Sequence, residues 1–145
     1  MYGLVNNPQK TIVIPNAKID QSVDIMNRII NNMSYQKMGV DNSMAEANIW
    51  VVTTKSHITG IVDSLIVATY TFKEVSNGVE LTIEVGKGYG AIGDELELQD
   101  CNNYIQEAIK VAINPNIKFE EKKVSKKKLI IIAIVAFIVF SALLM

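Results

Sequence analysis

Residues 79–85, VELTIEV, alternate without a break. Val79, Leu81, Ile83 and Val85 fall to one side, and Glu80, Thr82 and Glu84 to the other. A period of two predicts a strand with one buried and one wet face. The run before it, IVDSLIVATYTFKEV (61–75), is rich in β-branched and aromatic residues. Ser76-Asn77-Gly78 joins the two, and Asn-Gly between such runs predicts a hairpin. NIWVVTTK (48–55) predicts another strand, set off by the polar turn SHITG (56–60), and YQKMGVD (35–41) a shorter one. Near the start, Ile12 to Ile14 form a first strand that Pro15 ends.

The apolar period shifts from two to 3.6 in two places. Val23, Met26, Ile30 and Met33, widened by Ile29, predict a helix that fades at Asn31-Asn32 and Ser34. Asp20 or Ser22 can cap it, and Asp24 suits its first turn. Leu98, Cys101, Ile105, Ala108 and Ala112, with Tyr104 and Ile109 alongside, predict a second helix. Asp94, Glu95 and Glu97 stand at its start and Pro115 stops it. The element order is β-α-β-β-β-β-α. Strands clustered in sequence predict an antiparallel sheet with two helices on one face, an α+β fold.

Over residues 10–113, this order with a glycine-rich loop before the last helix resembles small membrane-attached α+β domains of TATA-binding-protein-like or helix-grip (START-like) type. In helix-grip proteins a curved sheet and a long last helix can enclose an apolar ligand. The resemblance therefore implies an alternative function, a carrier or sensor of a lipid or small apolar ligand. Ile66, Tyr70, Phe72 and Ile105 would line its cavity. The resemblance transfers no functional residues.

The apolar content is unevenly spread. LIIIAIVAFIVFSALLM (129–145) carries no charge and only one hydroxyl, Ser141. An apolar surface all the way round predicts a C-terminal transmembrane helix rather than a core helix. Net charge divides the same way. Residues 1–117 hold eight Lys and Arg against thirteen Asp and Glu, whereas 118–128 (KFEEKKVSKKK) hold six lysines against two glutamates. Lys122, Lys123, Lys126, Lys127 and Lys128 precede the apolar segment, so the positive-inside rule places the preceding domain in the cytoplasm. MYGLVNNPQK lacks the pattern of a signal peptide, and Tyr2 stands where myristoylation needs Gly. The expected organisation is a cytoplasmic domain (1–117), a lysine-rich juxtamembrane linker (118–128) and a membrane helix (129–145). This is a single-pass, tail-anchored arrangement in which the linker lysines contact the membrane surface.

The candidate chemistry is thin. GYGAIG (88–93) matches G-x-G-x-x-G between a strand and a helix, the setting of a dinucleotide's pyrophosphate. A dinucleotide fold needs a second parallel strand after that helix, and here Pro115 and lysines follow instead. Asp94, Glu95 and Glu97 would also repel phosphate. The glycines are expected to allow positive-φ turns and close backbone approach. Gly86, Gly88, Tyr89, Gly90 and Gly93 remain a candidate interaction loop. His57, the only histidine, lies in a polar turn and is expected to be exposed. Ser56, Thr54 and Asp63 are its neighbours in sequence, and such turns commonly look like this. Cys101, on an apolar stripe, is expected to be a buried thiol, and as the only cysteine it excludes an internal disulfide. Asp94, Glu95, Glu97 and Asp100 lack the order of a calcium loop and are read as helix N-terminal charge. Trp50 is expected to pack. An acidic domain repels nucleic acid. No catalytic residue, cofactor or metal site is expected. The sequence points to a membrane-tethered, non-enzymatic module that binds a protein partner in the cytoplasm.

Overall fold

The computed structural model describes residues 7–57, 65–88 and 95–121. Its strands are β1 (Gln9–Pro15), β2 (Lys37–Asp41), β3 (Ile49–Lys55), β4 (Leu65–Val75) and β5 (Gly78–Lys87), and its helices α1 (Ser22–Asn32) and α2 (Glu95–Ile113). Two short 3₁₀ turns, Ile19–Gln21 and Ala45–Ala47, complete it. The expected α+β order is present, and the strands form a five-stranded antiparallel sheet in the order β1-β5-β4-β3-β2. Strand β5 sits between β1 and β4, so the first and last strands pair along one side of the sheet, with β1 at its edge.

The alternation on β5 sets the layering. Val79, Leu81, Ile83 and Val85 are all fully buried. Across the ladder Tyr70 pairs with Ile83 and Trp50 with Tyr70, so Ile66, Ala68, Tyr70, Phe72, Trp50 and Val52 share that face. Both helices bury their apolar sides in the same cluster. Each fully buried aliphatic side chain contributes about 1.5–3 kcal/mol. Trp50 packs, as expected, with its ring edge-on to Phe72 at 5.4 Å.

The hairpin turn consists of Ser76 and Asn77, and Gly78 opens β5 with φ +156°. A side chain at Gly78 would run into the carbonyl oxygen of Ile14, so glycine lets the end of β1 close against the hairpin. Asn16, at φ 61°, donates its backbone N–H to Asn77 there at 3.0 Å.

Helix α1 buries Met26, Ile29 and Met33 as expected and departs from the predicted stripe at Val23. Ser22, Ile25, Met26 and Ile29 are its buried residues, with Met33 following, while Val23 is 53% exposed. Successive residues turn by about 100°, which puts Val23 well off the stripe centred on Ser22, Met26, Ile29 and Met33. Neither expected cap is used. The 3₁₀ turn leads directly into the helix, and the contact there is Lys18 N–H to Gln21 Oε1 at 2.7 Å. Helix α2 buries Cys101, Ile105, Ala108 and Ala112, as its stripe predicts. Its last turn is closed from α1, where Arg28 Nη2 donates to the Ala112 carbonyl at 2.9 Å.

The packed chain continues past residue 117. Ile117 and Phe119 lie against the core, and Phe119 N–H donates to the Asn32 carbonyl at 2.8 Å. The expected transmembrane segment 129–145 lies outside the described residues, among which no helix is long and apolar enough to cross a membrane.

Candidate functional site

Two regions stand out, a polar cluster under one end of the sheet and the face of the sheet that the helices leave bare. The cluster begins where β3 ends and α2 begins. Asp100 is 6% exposed. Its Oδ2 accepts the Ser56 hydroxyl at 2.6 Å and its Oδ1 the Tyr35 hydroxyl at 3.3 Å. A buried carboxylate needs such donors, because leaving either oxygen bare would carry the full desolvation cost. One helical step on, Tyr104 meets Tyr70 from the sheet, hydroxyl to hydroxyl at 2.6 Å. A further step along, Glu107 accepts the Ser34 hydroxyl at 2.6 Å through Oε1 and the Ser34 N–H at 3.1 Å through Oε2. The segment between α1 and β2 is thus pinned to α2 at two points. Tyr35 turns inward to reach Asp100, which is why β2 starts at Lys37 rather than at residue 35.

Burial shapes the ionisation of these groups. The Tyr35 hydroxyl is held well above its ordinary range, first by desolvation and then by Asp100 and Glu107. Desolvation likewise raises Tyr70 and Tyr104. All three are therefore neutral hydrogen-bonding groups at ordinary pH. The Cys101 thiol is fully buried and pushed up to about 11, chiefly by desolvation and also by Asp100. This bears out a buried structural cysteine, since a nucleophilic thiol needs the opposite environment.

His57 is not an exposed turn residue. Its ring stacks on Tyr35 with centroids 3.7 Å apart and planes 7° from parallel. Its Nε2 lies 3.4 Å from the Ser34 carbonyl, a contact in which Nε2 must carry the proton and donate. The Tyr35 ring offers His57 a flat apolar surface beside a carbonyl acceptor. His57 does not stand between Ser56 and Asp100, the position a relayed nucleophile would require. Beside the cluster, Lys87 Nζ and Glu97 Oε1 form an ion pair at 3.1 Å, with both side chains largely buried. Among the described residues no three His, Cys, Asp or Glu side chains converge as a metal set.

The glycine loop is only partly described. Gly86 and Gly88 do not take the expected positive φ; among the described glycines only Gly78 does. Close approach is what they supply. A side chain at Gly86 would press on Asn7 at 3.0 Å, and one at Gly88 on Leu65 at 3.0 Å. Tyr89, Gly90 and Gly93, and Lys122, Lys123, Lys126, Lys127 and Lys128, lie outside the described residues.

The second region is the outer face of the sheet. Thr11, Thr82, Thr71 and Ile49 form one row across four strands, with the Thr11 and Thr82 hydroxyls 2.9 Å apart. Glu84, Thr69 and Val51 form the next row, and Val67 and Thr53 the one after. The edge towards β1 and β5 is acidic, with Glu80 and Glu84. The part over β3 and β4 is apolar and hydroxylic in its middle, where its residues are half-buried, and carries Lys55 and Lys73 at its two ends. Alternation predicts a wet face here, but Ile49, Val51, Leu65 and Val67 make it more apolar than the Glu-Thr-Glu pattern of β5 suggests.

No protein-family model matches the chain, and a search of the curated proteins finds no match.

The cluster residues Tyr35, Ser34, Ser56, Asp100 and Glu107 are not apparent from the main apolar stripe. A signal is present nonetheless. Asp100, Tyr104, Glu107 and Val111 recur at spacings of 4, 3 and 4, a second ridge beside the apolar one. Polar residues on such a ridge imply polar partners opposite.

Proposed function

We propose that this chain is a membrane-tethered, non-enzymatic interaction module. Its α+β domain faces the cytoplasm and binds a protein partner through the outer face of the sheet. The observation that carries this is one-sided layering. Both helices cover one face, while the other presents Ile49, Val51, Leu65 and Val67 among Thr53, Thr69 and Thr71. An uncharged patch of apolar and hydroxyl groups, rimmed by Lys55, Lys73 and Glu84, suits a protein interface better than a small charged ligand. The single-pass tether is segment 129–145. Lys122, Lys123, Lys126, Lys127 and Lys128 meet the phospholipid headgroups and orient it.

The packing favours this function over the carrier. Ile66, Tyr70, Phe72 and Ile105 are all buried at 4% exposure or less. The Tyr70–Tyr104 pair occupies the space between sheet and α2. Neither of the two described grooves, of about 300 and 800 Å³, is lined by those four residues.

Alkaline extraction of membranes tests the tether. The full chain is expected to stay in the pellet and residues 1–121 in the supernatant, with a reporter fused after Met145 on the non-cytoplasmic side. Release of the full chain, or a cytoplasmic reporter, would overturn the assignment.

A further inference from the structure

The way the chain leaves the core limits how far one end of the domain can stand from the bilayer, an inference that rests on the tether proposed above. After α2, Asn114 accepts the Ile117 N–H at 3.3 Å and the chain doubles back along α1. Phe119 is then fastened to Asn32. This delivers residues 118–121 to the start of β2, beside Lys37. Residues 122–128 separate that point from the apolar segment, and seven residues span at most about 25 Å. The β2 start and the strap formed by residues 118–121 therefore lie within reach of the headgroups.

A groove of about 800 Å³ opens there between β2 and the strap. Met33 and Phe119 supply apolar wall, Lys37 and Lys118 two cations, and Glu120 and Glu121 two anions. The four charged side chains are exposed at its rim. We propose that this groove receives the headgroup of a phospholipid bearing a primary ammonium, phosphatidylethanolamine by class. The charge pattern selects it. The phosphate meets Lys37 and Lys118, and the ammonium donates to Glu120 and Glu121. A purely anionic headgroup would face the two carboxylates unpaired. A quaternary ammonium has no N–H to donate to them.

The test uses full-length protein in nanodiscs of phosphatidylcholine alone, or with added phosphatidylethanolamine or phosphatidylglycerol, and reads amide hydrogen exchange. Exchange at residues 37–39 and 118–121 is expected to slow about threefold or more in the ethanolamine discs only. The hairpin at 75–78 should be unchanged. The exposed-site double variant K37A/K118A should lose the slowing and keep the same melting temperature. Equal exchange in all three lipids, or the greatest slowing in phosphatidylglycerol, overturns the headgroup site while leaving the tether standing. Failure of the chain to enter discs overturns both.

Discussion

Tyr70 and Tyr104 meet hydroxyl to hydroxyl, 2.6 Å apart, where the sheet and the closing helix face each other. The contact joins the centre of β4 to the middle of α2 inside an otherwise apolar core. It places hydrogen-bonding capacity where a ligand cavity would otherwise require space. The Tyr70 hydroxyl also lies 4.0 Å from Met33 Sδ, so the pair connects the sheet to the end of α1 as well.

Removing one hydroxyl of this pair leaves the other buried without a strong partner. Y70F or Y104F alone should therefore cost about 1–3 kcal/mol. The double variant Y70F/Y104F should cost no more than the worse single change, because neither hydroxyl is then stranded. Urea unfolding of the four proteins checks this, and simple additivity would contradict the pairing.

Asp100 holds Ser56 and Tyr35 together, and through Tyr35 it positions His57. D100A should destabilise by about 1–3 kcal/mol by removing the side-chain acceptor of the Ser56 and Tyr35 hydroxyls, and S56A by about 1 kcal/mol. The ring stack gives a second readout. In D100A the His57 ring protons should move away from their upfield, ring-current-shifted positions in the NMR spectrum, as Tyr35 loses its anchor.

Glu107 accepts both the N–H and the hydroxyl of Ser34. E107A should accelerate amide exchange at Ser34 far more than exchange within β5, since the opening is local to the α1–β2 connection. Equal acceleration throughout would mean that the contact supports the whole domain instead.

Cys101 makes stability depend on alkaline pH. Its thiol ionises near 9.0 when unfolded and at about 11 when folded. Between those values the unfolded state releases its proton first, so the contribution is complete below pH 9 and is lost as pH rises to about 11. Tyr35, Tyr70 and Tyr104 shift in the same direction. C101A should flatten part of the decline in unfolding midpoint over pH 9–11. A thiol reagent should modify the native protein at the rate of global or local opening, not at that of a free thiol.

The fold was legible because its signals are local. Alternation over VELTIEV, the Asn-Gly turn and the 98–112 stripe each follow from neighbours in sequence, and together they imply the order of elements. The stripe of α1 was legible at Met26, Ile29 and Met33 but not at its start, where Ser22 and Ile25 rather than Val23 face the core. The polar cluster was hidden for a different reason. Ser56 meets Asp100 and Ser34 meets Glu107 only through tertiary contact, and each alone looks like turn or helix chemistry. His57 shows the same limit. Its turn looks polar and open, and only the Tyr35 ring beneath it makes it a packed residue.

Engagement of a protein by the outer sheet face, with the chain held at the membrane, is the proposal most directly open to measurement. The direct measurement is site-specific photocrosslinking in intact cells, with the reactive group at Val51 or Val67 on that face, or at Val23 on α1 as the control. The full chain should give one discrete protein adduct from positions 51 and 67 and none from 23, and residues 1–121 should give much less of it. Adducts that are absent from the sheet face, or the same from all three positions, would contradict it.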